Sequence, residues 1–348
     1  MSADRPRTAV PHGRLPWGHI LKRTLRSFGR DACTDLAAGL TYFGVLALFP
    51  ALIALVSVLG LVGQSKTGID ALFGMADQLA PGMLDVAHGP IEALSTSPAT
   101  GWGLVIGIVG ALWSASGYVG GFGRALNRVY GVEEGRSAFV LRPVQLGVTV
   151  AAVALVAIVA VVLVVSGPIA RTIGGAIGLG DAAQTAWEIL RWPAVAVALV
   201  VLVALLYSAT PNVKRPGFRW LTAGSFTAIV LLGVASVLFA FYVANVGSYD
   251  KTYGALAGVI VFLLWIWIAN VALLLGAELD SEIERARQLI AGEEAERRLL
   301  LPLKSDAAIA KARDAEAGEI LAAREIRRRS RGSVSGQTRS TRTAEGNR

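Results

Sequence analysis

Six stretches of this 348-residue chain contain no Asp, Glu, Lys or Arg: 36–65, 93–123, 143–170, 192–213, 220–249 and 252–277. A helix needs about 20 mostly apolar residues to cross the hydrocarbon layer of a bilayer. Every one of the six is long enough. In lipid each backbone N–H and C=O must find its partner inside the segment, so such runs fold as helices. A soluble protein can bury one helix of this kind, but six in succession require lipid as their solvent. Charged residues are 17% of the chain, against about 25% in a soluble domain, too few to cover a water-facing surface. The expected fold is therefore all-α, a polytopic integral membrane protein with six transmembrane helices. Their approximate bounds are 37–62, 101–122, 143–167, 190–209, 221–245 and 254–277.

Orientation follows from the basic residues, which collect on the cytoplasmic side. With the long C-terminal tail set aside, 14 Lys and Arg fall before the first helix, between the second and third, and between the fourth and fifth. Only 4 fall in the other three loops. Both termini are expected in the cytoplasm.

Three units follow. Residues 1–35 form a cytoplasmic arm whose segment 17–34 is a basic amphipathic helix. Trp17, Ile20, Leu21, Leu25 and Phe28 make its apolar stripe, and Lys22, Arg23, Arg26 and Arg30 fall mostly on other faces. Such a helix suits either an anionic lipid surface or a lid on the bundle. Residues 36–280 form the six-helix transmembrane domain, with an outer amphipathic loop at 64–100 carrying short helices near 71–80 and 83–94. Residues 281–348 form a charged cytoplasmic tail, a solvated helix broken at Pro302 and disordered from about 328. The segment 291–348 is expected to be dispensable for folding.

The chemistry-bearing residues are sparse. Cys33 is the sole cysteine, and His12, His19 and His88 are scattered. No zinc spacing, phosphate loop or dinucleotide fingerprint is present. No metal, cofactor or catalytic residue is expected, and the chain is read as no enzyme. The polar residues inside or bordering the apolar runs are the candidates for function or architecture, because such residues turn toward protein rather than lipid. They are Thr41 and Tyr42 in the first helix and Ser114, Arg124, Asn127 and Arg128 around the end of the second. Asn245, Asp250 and Tyr253 lie at the short fifth-to-sixth connection, and Asn270 and Glu278 in the sixth helix. Glu278 reaches the same depth as Arg124, which predicts an ion pair between them.

At these clusters the sequence resembles the YihY/BrkB family of bacterial inner-membrane proteins. The matching signatures are AAGLTYFGVLALFPALI at 37–53, ALWSASG at 111–117, RALNRVYGVEE at 124–134, LLYSATPN at 205–212, and the long run from Phe241 to Glu284. The resemblance covers residues 18 to 288. It implies a six-helix protein of the bacterial inner (cytoplasmic) membrane. The ribonuclease BN label once given to this family is a misassignment, and some members are discussed as transporters or as virulence-associated proteins. The family pattern falls on Tyr42, Pro50, Trp113, Ser114, Asn127, Pro211, Tyr253, Gly254, Gly276 and Glu278.

The expected function is a transporter or lipid-handling protein of unknown substrate. The alternatives are a non-transporting envelope scaffold and, least favoured, a membrane enzyme. The expected partners are membrane lipids, with anionic headgroups at the basic cytoplasmic face, and a second copy of the chain in a homo-oligomer. No specific nucleic acid is expected.

Overall fold

The computed structural model describes residues 15–61, 100–164, 181–214, 222–245 and 257–345. Among them every named element is an α-helix: α1 Trp17–Arg30, α2 Cys33–Leu61, α3 Thr100–Val129, α4 Ala138–Val164, α5 Asp181–Ala209, α6 Ala223–Asn245, α7 Ala257–Ile290 and α8 Ala307–Glu345. Four of the described helical segments are long and apolar enough to cross a membrane: Ala138–Val159, Thr185–Ala209, Ala223–Val243 and Gly258–Ile290. Cys33–Ala47 is a shorter apolar segment. The outer loop 64–100, with its expected short helices, lies outside the described residues except for Thr100, which opens α3. So do residues 1–14, Asp250 and Tyr253.

Helix ends are set by local chemistry. After Val129 and again after Ile290 a glycine takes a left-handed backbone, Gly131 at φ 63° and Gly292 at φ 80°. Gly131 N–H then bonds Arg128 O and Val132 N–H bonds Asn127 O; Gly292 and Glu293 repeat the pattern on Leu289 and Gln288. These are paired reverse bonds that satisfy the last carbonyls of a helix. Thr222 opens α6: its hydroxyl accepts from Ser225 N–H while Ser225 Oγ accepts from Thr222 N–H, a reciprocal cap. Pro143 and Pro193 sit inside α4 and α5 without ending them, as membrane helices tolerate.

The pairs α2 with α3 and α6 with α7 pack most extensively, and α7 also lies on α2. Cys33, Ala37 and Leu40 of α2, Phe122 and Leu126 of α3, and Leu274 and Ala277 of α7 form the centre of the core. The α4–α5 pair joins at its side, through α3 and α6. Large apolar residues elsewhere point outward, among them Phe139, Val156, Ile189, Val237 and Phe241, as expected of a lipid-facing surface.

At the start of α6 the contact with α7 is backbone on backbone. A methyl group added to Gly224 would overlap the carbonyl of Gly276, and one added to Gly276 would meet Ala228 and the Gly224 carbonyl at 2.5 Å. Small residues permit such approach between membrane helices. Asp280 of α7 uses it to accept Gly224 N–H at 2.7 Å and the Thr222 hydroxyl, which puts a carboxylate at the positive end of α6.

Beyond its apolar part α7 does not stop. It continues to Ile290, and the chain after it folds back onto the bundle. Val213 and Leu303 form an antiparallel bridge. Lys304 Nζ donates to the carbonyls of Ser208 and Ala209 at the end of α5. Gln288 bonds both the N–H and the carbonyl of Leu300, and Ala295, Leu299 and Ile309 are buried. The expectation that 291–348 is dispensable is therefore corrected at 291–309. Past Ile309 the described side chains are exposed up to Arg328. The backbone stays helical to Glu345 rather than becoming irregular from 328, and no break falls at Pro302 because the helix has already ended.

Two outcomes are expected in thermal unfolding of the detergent-solubilised protein. Gly224→Ala should cost about 1–3 kcal/mol through overpacking, while Gly233→Ala on the same helix, with nothing within 4 Å, should be neutral or slightly stabilising. Removing residues from Ala291 onward should lower the melting temperature strongly or abolish accumulation, whereas a chain ending after Asp314 should melt like the full-length protein.

Candidate functional site

The sequence-predicted polar residues separate into three groups. The first lies inside the bundle. Tyr118 of α3 donates its hydroxyl to Asn270 Oδ1 at 2.8 Å, and Asn270 Nδ2 donates to Thr41 Oγ1 of α2 at 3.3 Å. Thr41 Oγ1 in turn donates a hydrogen bond to the Ala37 carbonyl at 2.8 Å. Asn270 and Thr41 are buried. A chain of hydrogen bonds thus joins α3, α7 and α2 across their common axis, each bond worth about 0.6 kcal/mol and up to about 2 between membrane helices. Ser114 adds a bond to the Leu46 carbonyl at 3.0 Å. Tyr42, one residue from Thr41, points outward instead and is exposed.

The second group surrounds Glu278, which is 0% exposed. Its Oε1 accepts a weak bond from Cys33 Sγ at 3.5 Å. Its Oε2 is buried and no donor among the described residues meets it at hydrogen-bond geometry, with the Asp31 carboxyl standing nearby. The expected ion pair with Arg124 is not formed. Arg124 is exposed and lies over the Phe43 ring at 5.9 Å, and Arg128 is exposed as well. Glu278 faces the α1–α2 turn, at Cys33, while both arginines point away from the core. Four residues along α7, Glu282 does find cations: Arg23 of α1 at 2.8 Å and Arg285 at 3.2 Å, with Ser27 donating at 3.1 Å.

The third group is a polar platform at the basic end of the bundle, with Asn127 at its centre. Asn127 accepts Asn212 N–H at 2.8 Å and donates to Glu134 Oε2 at 3.0 Å. Glu134 holds Arg136 through two side-chain bonds of 2.8 and 2.7 Å, and Arg136 reaches the Thr210 carbonyl at 2.6 Å. Asn212 clamps the carbonyls of Glu133 and Ser305. Burial alone would raise Glu134, but the hydrogen bonds and charge of Arg136 outweigh it and hold the carboxyl below its ordinary range. Beside the platform an open cleft of about 300 Å³ is lined by Val132, Glu133, Arg298, Leu299, Leu301 and Arg313. Asn245 stays at the opposite end of α6, exposed, bonded to its own helix at Phe241 O.

Sequence reasoning found Asn270, Thr41, Glu278 and Asn127 but missed their partners. Tyr118, Asn212, Glu134 and Arg136 carried a signal only in the first three cases, through the signatures in which or beside which they stand. Asp280 and Glu282 were hidden because acids after an apolar run read as solvated.

A chain whose named elements among the described residues are all helices, with lipid-facing apolar sides and polar bonds turned inward, is a polytopic membrane protein. The family described as Virulence factor BrkB matches residues 24–298, and the chain belongs to it. It is similar to the ribonuclease-like protein YfkH of Bacillus subtilis, 30% identical over 253 residues, 73% of this chain and 90% of that one. It is also similar to a UPF0761 membrane protein of Alkalilimnicola ehrlichii, 30% identical over 256 residues, 72% of this chain and 55% of the relative. A third, from Alcanivorax borkumensis, is 29% identical over 271 residues, 73% and 58% respectively. The chain thus spans little more than half of the two UPF0761 proteins. No solved structure matches it.

The depressed Glu134 sets a pH test. A carboxyl held lower in the folded state contributes stability above its ordinary range and loses it as pH falls through the folded value. Glu134→Gln leaves Arg136, 5% exposed, without its anion, and should cost on the order of 2–3 kcal/mol at neutral pH. In denaturant unfolding followed against pH, variant and parent should converge below the ordinary carboxylate range. A constant gap at every pH would contradict this.

Proposed function

We propose that the protein is a six-span protein of the bacterial inner membrane, with both termini cytoplasmic, that moves lipid or a small solute. The observation that carries this reading is Glu278. It is a wholly buried carboxyl with one oxygen that no donor among the described residues meets at hydrogen-bond geometry, two helical turns from the internal Asn270 chain. Buried polar groups left partly unsatisfied are costly and in membrane helices accompany ion and substrate paths. The reading is non-enzymatic, and the ribonuclease-like name is that of YfkH. The scaffold alternative draws on α8, whose described side chains are exposed almost throughout and offer a long charged helix to a partner.

Reconstitution in sealed liposomes separates the two. Scrambling of a fluorescent lipid and release of small solutes should exceed protein-free vesicles, and Glu278→Gln should slow whichever is seen by about tenfold, the equivalent of about 1.4 kcal/mol in a barrier. Correctly inserted protein that does neither would leave the scaffold. Topology is checked by single cysteines in intact cells: positions near 75, 180 and 249 should label from outside, and those near 130, 214 and 300 should not.

A further inference from the structure

Helix α1 is docked along one face, and its apolar side is only partly covered: Phe28 packs against the core, whereas Trp17, Leu21 and Leu25 are exposed. Ile20, Thr24 and Ser27 dock on α7, where Ile20 packs with Leu279, Ile283 and Ala286, and the Arg23–Glu282 pair fixes the contact. The expected stripe is therefore split. Trp17 is 51% exposed, Leu21 54% and Leu25 67%. At 3.6 residues per turn, Leu21 and Leu25 lie about 40° and 80° round from Trp17, a continuous strip beside the docked face. Lys22 and Arg26, about 140° and 180° round on the same count, are exposed too. The order round the helix is docked, apolar, basic.

Continuity and charge say what covers the strip. Only Asp31 and Ala32 separate α1 from α2, with Ala32 in the left-handed region at φ 51°, so α1 is held at the mouth of an apolar helix. A helix with an apolar strip bordered by basic residues lies in the headgroup–acyl boundary, and cations there are drawn to anionic lipid. We infer that the Trp17–Leu21–Leu25 strip of α1 is a binding surface for the anionic lipid interface, and that the Arg23–Glu282 pair couples its position to α7. This rests on the chain being a membrane protein and not on what it transports.

The test uses the full-length chain in a Cys33→Ala background, reconstituted sparsely in phosphatidylcholine vesicles with or without phosphatidylglycerol. Nitroxide labels go on Leu21→Cys, Leu25→Cys and, as a control, Arg26→Cys. The first two should collide with oxygen in preference to a water-soluble nickel chelate, and the control should do the reverse. Contact of 21 and 25 with the nickel chelate would overturn the proposal by placing the strip in water. Labels immobilised and reached by neither reagent would overturn it in favour of a protein partner such as a second copy.

A parallel measurement needs no cysteine change. In the native chain, crosslinking from photoactivatable phosphatidylglycerol should map to residues 17–25 and exceed that from phosphatidylcholine. Lys22→Gln with Arg26→Gln should reduce that preference by roughly 25-fold, from about fivefold per charge. Equal yields from the two lipids in the native chain would overturn the anionic specificity.

Discussion

Helix α7 has to satisfy two solvents in one continuous rod, and the rest of the described bundle is arranged around that requirement. Its first part is apolar enough to lie in lipid, where a polar side chain must turn to a protein partner. Asn270 does so between Tyr118 and Thr41. Further along, Asp280 caps α6, Glu282 gathers Arg23 and Arg285, and Gln288 pins Leu300. Of the polar residues of α7, Asn270, Asp280, Glu282 and Gln288 each fix a different neighbour. Glu278 keeps a buried oxygen that no donor among the described residues meets at hydrogen-bond geometry, which is why the functional proposal is placed there.

The glycine contact makes this possible. Because Gly224 and Gly276 bring two backbones together, Asp280 reaches the first turn of α6 directly. The same economy of space recurs at Gly135, where a methyl group would overlap the carbonyl of Ser305, so the returning segment lies flush on the 133–136 turn. The platform around Asn127 then closes the basic end of the bundle from three separate chain segments, 127–136, 208–214 and 303–308. Family membership over residues 24–298 spans most of this architecture.

The helices were legible because charge is excluded from lipid, and an uncharged run of membrane length has few other places to go. Their ends were less legible. The apolar interval closes at Glu278, yet α7 runs to Ile290, since helix formation ends at Gly292 and not at the first acid. Asn270 was readable as a residue facing protein, but its partner Tyr118 was not, because depth along a helix can be counted from sequence while the rotation of one helix against another cannot. The same limit produced the Arg124–Glu278 expectation. The tail was misread for a different reason: Ala295 stands among charges, Leu299 opens a short apolar run and Ile309 lies among alanines, none of membrane length, and only the fold shows that they are buried.

The central claim is that α7 and the segment following it form one cooperative unit with the bundle, extending through Ile309. Hydrogen–deuterium exchange of the full-length protein in nanodiscs tests this directly. The account predicts slow exchange from Asn270 through Ile290, protected amides at Leu300, Lys304 and Ser305, whose N–H groups are bonded, and exchange near the rate of a free helix beyond residue 314. Rapid exchange at Leu300, Lys304 and Ser305, indistinguishable from the region beyond 314, would contradict it.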